Sequence, residues 1–321
     1  IPWRCSIVCK NYLLQLPSVA VKDKKLIIVQ DPTASGKTAL SIALAKHFNT
    51  EIISGDSRQF YQEIIIGTAR PSIKELKTVK HHFISSHSIL DEFNTSDFSL
   101  KAREICAKLF ETKDQVILVG GSGMYIDALT FGLDEITADE SIRQALNQIY
   151  ENQGLDILVN ELQEKDPKFC ISADLKNPVR VIRALEVIRK TNQPYSSQRK
   201  GFKNDLPYDI VRFSIAWKRE DLYDRINLRV DEMITNGLVE EVKGLQKFQS
   251  LSPLKTIGYS EIFDVINNKC SLETAIEKIK QHSRNYAKRQ MTWLRRYSDV
   301  NYLDPYSKDT LISQAIAKMS A

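Results

Sequence analysis

A lysine and a hydroxyl set behind a glycine are the means of gripping phosphate, and this chain carries them in Asp31-Pro-Thr-Ala-Ser-Gly-Lys-Thr38. The segment matches the phosphate-loop pattern G-x-x-x-x-G-K-[ST] at every defined position but the first. The backbone N–H groups of Ala34, Ser35, Gly36, Lys37 and Thr38 can converge on phosphate oxygens at a helix N-terminus. The Lys37 ammonium adds positive charge, and the Thr38 hydroxyl can ligand Mg²⁺. Asp31 stands where the pattern has glycine. Aspartate tolerates left-handed backbone better than most residues, but a carboxylate beside a diphosphate weakens its binding unless the side chain points away.

A second group able to do chemistry is Asp56, in Asp56-Ser-Arg-Gln59. The run Glu51-Ile-Ile-Ser-Gly-Asp56 fits a Walker B strand poorly, so Asp56 can instead take a proton from an incoming nucleophile. Taken alone it would be a turn or a helix cap. Arg225 and Arg229 are spaced i,i+4 and share a helix face, an arrangement that by itself suits ion pairing or solvation. Lys278, Lys280, Arg284, Tyr286, Lys288, Arg289, Trp293, Arg295 and Arg296 crowd one stretch with no acid between Glu277 and Asp299. His81 and His82 lack further His or Cys at metal-binding spacing, which favours turn or packing roles. Trp3, Trp217 and Trp293 are expected in core or interface.

These groups need elements to hold them. Leu26-Ile-Ile-Val29 is a short apolar run suited to a parallel strand buried on both faces, and an amphipathic helix over Ala39–His47 follows the loop. A second strand, Glu51-Ile-Ile53, ends at Ser54-Gly-Asp56. Ser96-Asp97 is expected to cap a helix reaching about Phe110, before the strand Val116–Val119 and a glycine-rich turn, Gly120–Gly123, that opens another helix. Strand, glycine turn and helix in repetition predict an α/β fold with a P-loop NTPase-like parallel sheet flanked by helices. From 135 to 200 the spacing becomes helical throughout, in Leu155, Leu158, Val159, Leu162 and again in Val181, Ile182, Leu185, Ile188. An all-helical insertion is expected there, with Thr191–Leu206 as its exit linker. The strand Ile210–Ala216 rejoins the sheet and helices run to about Tyr297. The predicted organisation is an N-terminal extension over 1–24, poorly ordered, a catalytic core over 25–134 and 201–321, and the insertion over 135–200.

The chain has 321 residues, enough for two domains, and a net charge of +5 that suits a polyanionic partner without proving one. Its five cysteines are scattered and form no CxxC pair, as expected of reduced thiols in a cytoplasmic protein. No apolar run is long enough to span a bilayer.

Ordered blocks now add a resemblance. Pro32-Thr-Ala-Ser-Gly-Lys-Thr38, Asp56-Ser-Arg-Gln59, Ile66-Gly-Thr-Ala-Arg-Pro71, His81-His-Phe83, Gly120-Gly-Ser-Gly-Met-Tyr125, Asn177-Pro-Val-Arg-Val-Ile-Arg-Ala-Leu-Glu186, Thr256-Ile-Gly-Tyr259 and Tyr286-Ala-Lys-Arg-Gln-Met-Thr-Trp293 occur in that sequence order. From about Lys25 to Leu303 the chain resembles the tRNA dimethylallyltransferases, also called tRNA isopentenyltransferases. It departs from them at Asp31, at Glu63 in place of a glycine, and at Val179 where glutamine is frequent.

The resemblance implies transfer of a dimethylallyl group from dimethylallyl diphosphate to N6 of the adenosine 3′ to the anticodon, in tRNAs reading codons that begin with U. It implies Asp56 as general base, Thr33 and Arg225 as groups on the diphosphate oxygens, and Mg²⁺ as cofactor. It implies that Asp56, Ser57, Arg58, Gln59, Ser122, Arg143, Arg180 and Arg183 touch the anticodon loop, while the acid-free basic stretch is itself expected to face RNA through Arg284, Lys288 and Arg289. A monomer is expected. Three rivals stand beside this reading. An adenylate isopentenyltransferase would have no use for the insertion or for Tyr286–Trp293. A small-molecule kinase would use the same loop with ATP. A catalytically impaired tRNA-binding protein would follow if Asp31 cripples the loop.

Overall fold

The computed structural model describes residues 24–133, 139–199 and 206–320. The extension expected over 1–24 lies outside these residues but for Lys24, as do Trp3, Cys5, Cys9 and Gly201 of the expected linker. The chain forms two compact units, one from Ile1–Thr130 with Asp205–Ala321 and the other from Phe131–Asn204.

The strands are β1 (Lys25–Gln30), β2 (Ile52–Ser54), β3 (His81–His82), β4 (Gln115–Gly120), β5 (Asp209–Ile215) and β6 (Val300–Leu303). They form one sheet in the order β3-β2-β4-β1-β5-β6, and every neighbouring pair is parallel. The helices are α1 (Lys37–His47), α2 (Ile73–Thr78), α3 (Thr95–Phe110) and α4 (Gly123–Thr130) in the first half. The second unit holds α5 (Glu140–Gln153), α6 (Leu155–Lys165), α7 (Pro167–Ser172), α8 (Pro178–Thr191) and α9 (Tyr195–Gln198). The first unit resumes with α10 (Arg219–Thr235), α11 (Leu238–Gly244), α12 (Tyr259–Ile266), α13 (Leu272–Leu294) and α14 (Leu311–Ser320).

Strands buried on both faces need apolar residues at successive positions, and the pleat then divides them. Leu26 and Ile28 pack with Phe98, Ala102 and Ile126 of α3 and α4 on one face. Ile27 and Val29 pack with Leu40, Leu44 and Ala315 of α1 and α14 on the other. A separate cluster gathers Val230, Val242, Tyr259, Ile262 and Ile279 among α10 to α13. Among the described residues no helix is long and apolar enough to cross a membrane.

Several boundaries differ from expectation for local reasons. The helix assigned to a Ser96-Asp97 cap begins earlier, because Asn94 is the cap: its Oδ1 accepts from the N–H of Ser96 (2.8 Å) and Asp97 (3.2 Å), while Asp97 accepts from Asn94 N (3.0 Å). The first helix starts at Lys37 rather than Ala39, because Gly36 takes a left-handed conformation (φ 96°) at the N-cap. β3, β6 and α14 were not expected. β3 has too few residues to show a period, and β6 alternates Val300 and Tyr302 with Asn301 on a sheet edge.

In the second unit, Leu146, Leu158, Leu162, Phe169, Val181 and Leu185 form the core. Two carboxylates are buried in this unit, Asp166 and Glu186. Glu186 is fully buried and accepts from Arg143 Nε (3.1 Å), Arg143 Nη2 (2.9 Å), Arg183 Nη1 (2.9 Å) and the N–H of Asp139 (2.7 Å). These partners hold the Glu186 carboxyl below the usual glutamate range despite its burial.

Candidate active site

The phosphate loop leaves β1, the Gly120–Gly121 turn leaves β4, and Gly55–Asp56 follows β2, so three neighbouring strands deliver their carboxyl ends to one place. Open parallel sheets bind ligands at such an edge. A Cβ on Gly120 would lie 2.7 Å from the Gly55 backbone, which is why only glycine permits this approach.

The loop itself is tied down from elsewhere in the chain. Thr33 N–H donates to Gln290 Oε1 (3.1 Å), and Gln290 Nε2 donates to Gly121 O (3.0 Å). Trp217 Nε1 donates to Ser35 O (2.7 Å), and Arg225 Nε donates to Ala34 O (2.8 Å). The Arg225 guanidinium lies over the Trp217 ring, 4.5 Å from its centroid. Every bond to Thr33, Ala34 or Ser35 in this set restrains backbone, and Lys37 Nζ crosses the loop to Pro32 O (3.3 Å). No side chain caps the first turn of α1, so its amides keep their donors for an anion.

Asp31 does not face that anion. Its Oδ1 accepts from Ser214 Oγ (2.7 Å), and both carboxylate oxygens accept from Ile215 N (3.1 and 2.9 Å). The parallel register pairs Val29 with Phe213, and beyond that pair the Asp31 side chain takes the place of the next ladder bond. Burial pushes its carboxyl up to about 7 from the ordinary 3.8, against the pull of Ser214, Ile215 and the Lys37 charge. The substitution for glycine is therefore absorbed by β5.

Asp56 sits among cations and hydroxyls. Desolvation lowers the pKa of both Lys37 and Arg229, and the Asp56 charge opposes it in each. Tyr286, on α13, is pushed up to about 12 by burial and then by Asp56, and its hydroxyl bonds Ser122. Ser122 Oγ also accepts from Ser57 N (3.2 Å) and lies 3.3 Å from Ser57 Oγ. Arg58 N donates to Asp56 Oδ1 (3.2 Å), while Arg58 Nη1 reaches the carbonyls of Ser252 and Pro253. Gln59 is buried and turns its amide to Thr68 O (3.3 Å), away from solvent.

A small cavity joins Lys37 and Thr38 of the loop to Asp56, while Thr33 and Arg225 do not line it. Lys37, Thr38, Ser54, Asp56, Gln59, Pro71, His81, Ile84, Val119 and Gly120 line it. His81 and Ile84 are shared with a cleft of about 530 Å³ that adds Arg70, Lys77, Lys80 and Ser85. Among the described residues, Ser35 Oγ, Ser54 Oγ and His81 Nε2 are buried with no protein hydrogen-bond partner, and all three belong to the loop or the cavity. His82 instead pairs with Glu51 at 2.6 Å, and no cluster of His, Cys, Asp or Glu able to hold a metal occurs among the described residues.

The remaining predicted residues fall in separate places. Arg284 Nη1 donates to Asn227 Oδ1 (2.6 Å), whereas Lys288 and Arg289 are exposed on α13. Arg180 is exposed, and Arg143 and Arg183 converge on Glu186. Gln290, Trp217 and Tyr286 were not among the predicted site residues. Only the block Tyr286–Trp293 hinted at two of them, and nothing near Trp217 marks it.

The family model described as IPP transferase matches residues 59–297. A tRNA dimethylallyltransferase of Christiangramia forsetii is 45% identical over 280 residues, spanning 87% of this chain and 93% of that protein. The Bacteroides fragilis protein named tRNA dimethylallyltransferase 1 is 41% identical over 291 residues, 90% of this chain and 97% of its own length. The crystal structure of the full-length tRNA isopentenylpyrophosphate transferase from Bacillus halodurans superposes with a TM-score of 0.68 at 36% identity, covering 93% of this chain and 96% of that one. A eukaryotic dimethylallyltransferase captured acting on tRNA gives a TM-score of 0.77 at 28% identity, covering 92% of this chain and 78% of that one.

Proposed function

The chain belongs to the IPP transferase family, and from that premise we propose that it moves a dimethylallyl group from dimethylallyl diphosphate to N6 of the adenosine 3′ to the anticodon, in tRNAs reading codons that begin with U. The observation that carries this reading is the shared cavity, in which the phosphate-gripping Lys37 and Thr38 and the carboxylate of Asp56 face the same space.

The exocyclic amine of adenosine is a weak nucleophile, because its lone pair is delocalised into the ring. Asp56 accepts an amine proton as the carbon–nitrogen bond forms. Charge meanwhile grows on the departing diphosphate, where Lys37, Thr33, Arg225 and the amides of residues 34–38 stabilise it. The Thr38 hydroxyl, a hard oxygen donor, would hold Mg²⁺, which would supply further neutralisation of that charge. The cleft lined by Arg70, Lys77 and Lys80 offers the donor a basic approach to the cavity. Walls such as Ile84 and Val119 keep water from the developing allylic cation.

On the RNA side we assign contacts to Ser57, Arg58, Ser122, Arg143, Arg180, Arg183, Arg284, Lys288 and Arg289. Gln59 acts by holding the Thr68 turn. A cytoplasmic monomer is the corresponding assembly. Asp31, turned into β5, gives no reason to favour an impaired protein. The test is incubation with Mg²⁺, dimethylallyl diphosphate and unmodified tRNA, followed by mass spectrometry of the digested nucleosides. Isopentenyladenosine is expected. Bound tRNA without it would overturn the reaction assigned.

A further inference from the structure

Two sequence blocks, Ile66-Gly-Thr-Ala-Arg-Pro71 and Thr256-Ile-Gly-Tyr259, meet at one carboxylate. Glu241, on α11, accepts from Ile65 N (3.1 Å), from Ile66 N with both oxygens (3.1 and 2.9 Å) and from Gly67 N (3.3 Å). The Tyr259 hydroxyl donates to the same carboxylate. Burial and the Glu241 charge push the Tyr259 phenol above its ordinary range, so it stays a donor. The buried Tyr259 ring also fills the space over Gly67, where a Cβ would stand 2.4 Å from Cε2.

Three consecutive amides on one anion leave that stretch little freedom. The chain then turns sharply. Ala69 takes a left-handed conformation (φ 42°), and its N–H closes on Ile66 O (2.9 Å). What the turn presents is useful in each direction. Thr68 O accepts from Gln59 Nε2 (3.3 Å) and from Arg229 Nη2 (3.4 Å), the cation that feels Asp56. Arg70 bonds Ser85 and lines the basic cleft, while Pro71 walls the small cavity beside Lys37 and Asp56.

We propose that Glu241 is a positioning residue for the donor site: through the amides of Ile65 to Gly67 it sets the turn that places Arg70 and Pro71 around the dimethylallyl diphosphate. This inference rests on the function proposed above. Glu241→Gln tests it, because an amide NH₂ put in place of either oxygen confronts two backbone N–H donors. Steady-state transfer would be measured against dimethylallyl diphosphate and tRNA separately. The donor KM should rise about tenfold, the scale of one lost charge-assisted hydrogen bond, with the tRNA KM unchanged. Amide hydrogen exchange should quicken within 65–71 alone. Tyr259→Phe keeps the ring over Gly67 and should move the donor KM the same way by less, and it carries the test if Glu241→Gln does not fold.

An unchanged donor KM in a folded variant whose 65–67 amides exchange faster would overturn the proposal. So would an equal rise for both substrates, which marks general loosening. Wild-type protein that transfers nothing would sink the assigned reaction instead. The positioning role would then be judged by calorimetric binding of dimethylallyl diphosphate alone, where equal affinity of wild type and variant overturns it.

Discussion

The phosphate loop and the Glu186 cluster both use polar side chains to hold a charged neighbourhood in shape, but they recruit partners from different distances. Thr33, Ser35 and Ala34 are tied by Gln290, Trp217 and Arg225, which lie 257, 182 and 191 residues away. Glu186 is served by Arg183, Arg143 and Asp139, no more than 47 residues away and all inside one helical unit. The first site exists only when the whole sheet domain has closed. The second can be built by its own helices, and its failure should remain local.

The sharpest way to break this comparison is at the reacting atom. Asp56→Asn should cut transfer about a thousandfold, within the range for a general base, while tRNA affinity measured by anisotropy holds. An equal loss of tRNA binding would make Asp56 a structural residue. Next comes the long-range tie. Gln290→Ala frees Thr33 N and Gly121 O together and should lower transfer about a hundredfold, each bond contributing on the order of 1 kcal/mol or more. Gln290→Glu keeps the acceptor for Thr33, loses the donor to Gly121, and should fall between the two in the same assay.

At the local site the expected effect is on stability. Glu186→Ala strips Arg143 and Arg183 of a fully buried partner and should cost on the order of 2 kcal/mol in denaturant unfolding of the helical unit. Dimethylallyl diphosphate binds at the sheet edge without Glu186, so donor affinity by calorimetry should be unchanged. A further effect, on pH dependence, concerns Asp31. Folding raises its pKa from 3.8 to about 7, so the unfolded chain releases the proton first as pH rises. Stability therefore falls between about pH 4 and about pH 7 and levels off above. Asp31→Asn has no such proton, and its melting temperature should drop less across that window, by roughly a few degrees.

Legibility from sequence followed the same division. Leu26–Val29 and Val116–Val119 announce buried parallel strands, because a strand covered on both faces has no polar positions to blur it. The helical spacing of Leu155 to Leu162 and Val181 to Ile188 is equally plain, since each helix buries one stripe. The two-residue β3 has no period to detect. In the candidate site, Lys37, Thr38 and Asp56 were readable from contiguous motifs. Trp217, Glu241 and the direction of the Asp31 side chain were not, because each is decided by a partner that only the tertiary fold brings near.

Gln290 has one more implication, for the order in which the protein is made. The amide that steadies Thr33 is made 257 residues after the loop itself. A nascent chain halted before α13 carries the phosphate-gripping segment without its fastening. Competence should thus appear abruptly with α13, and a chain truncated ahead of that helix should leave the ribosome with strands β1 to β5 but no working grip.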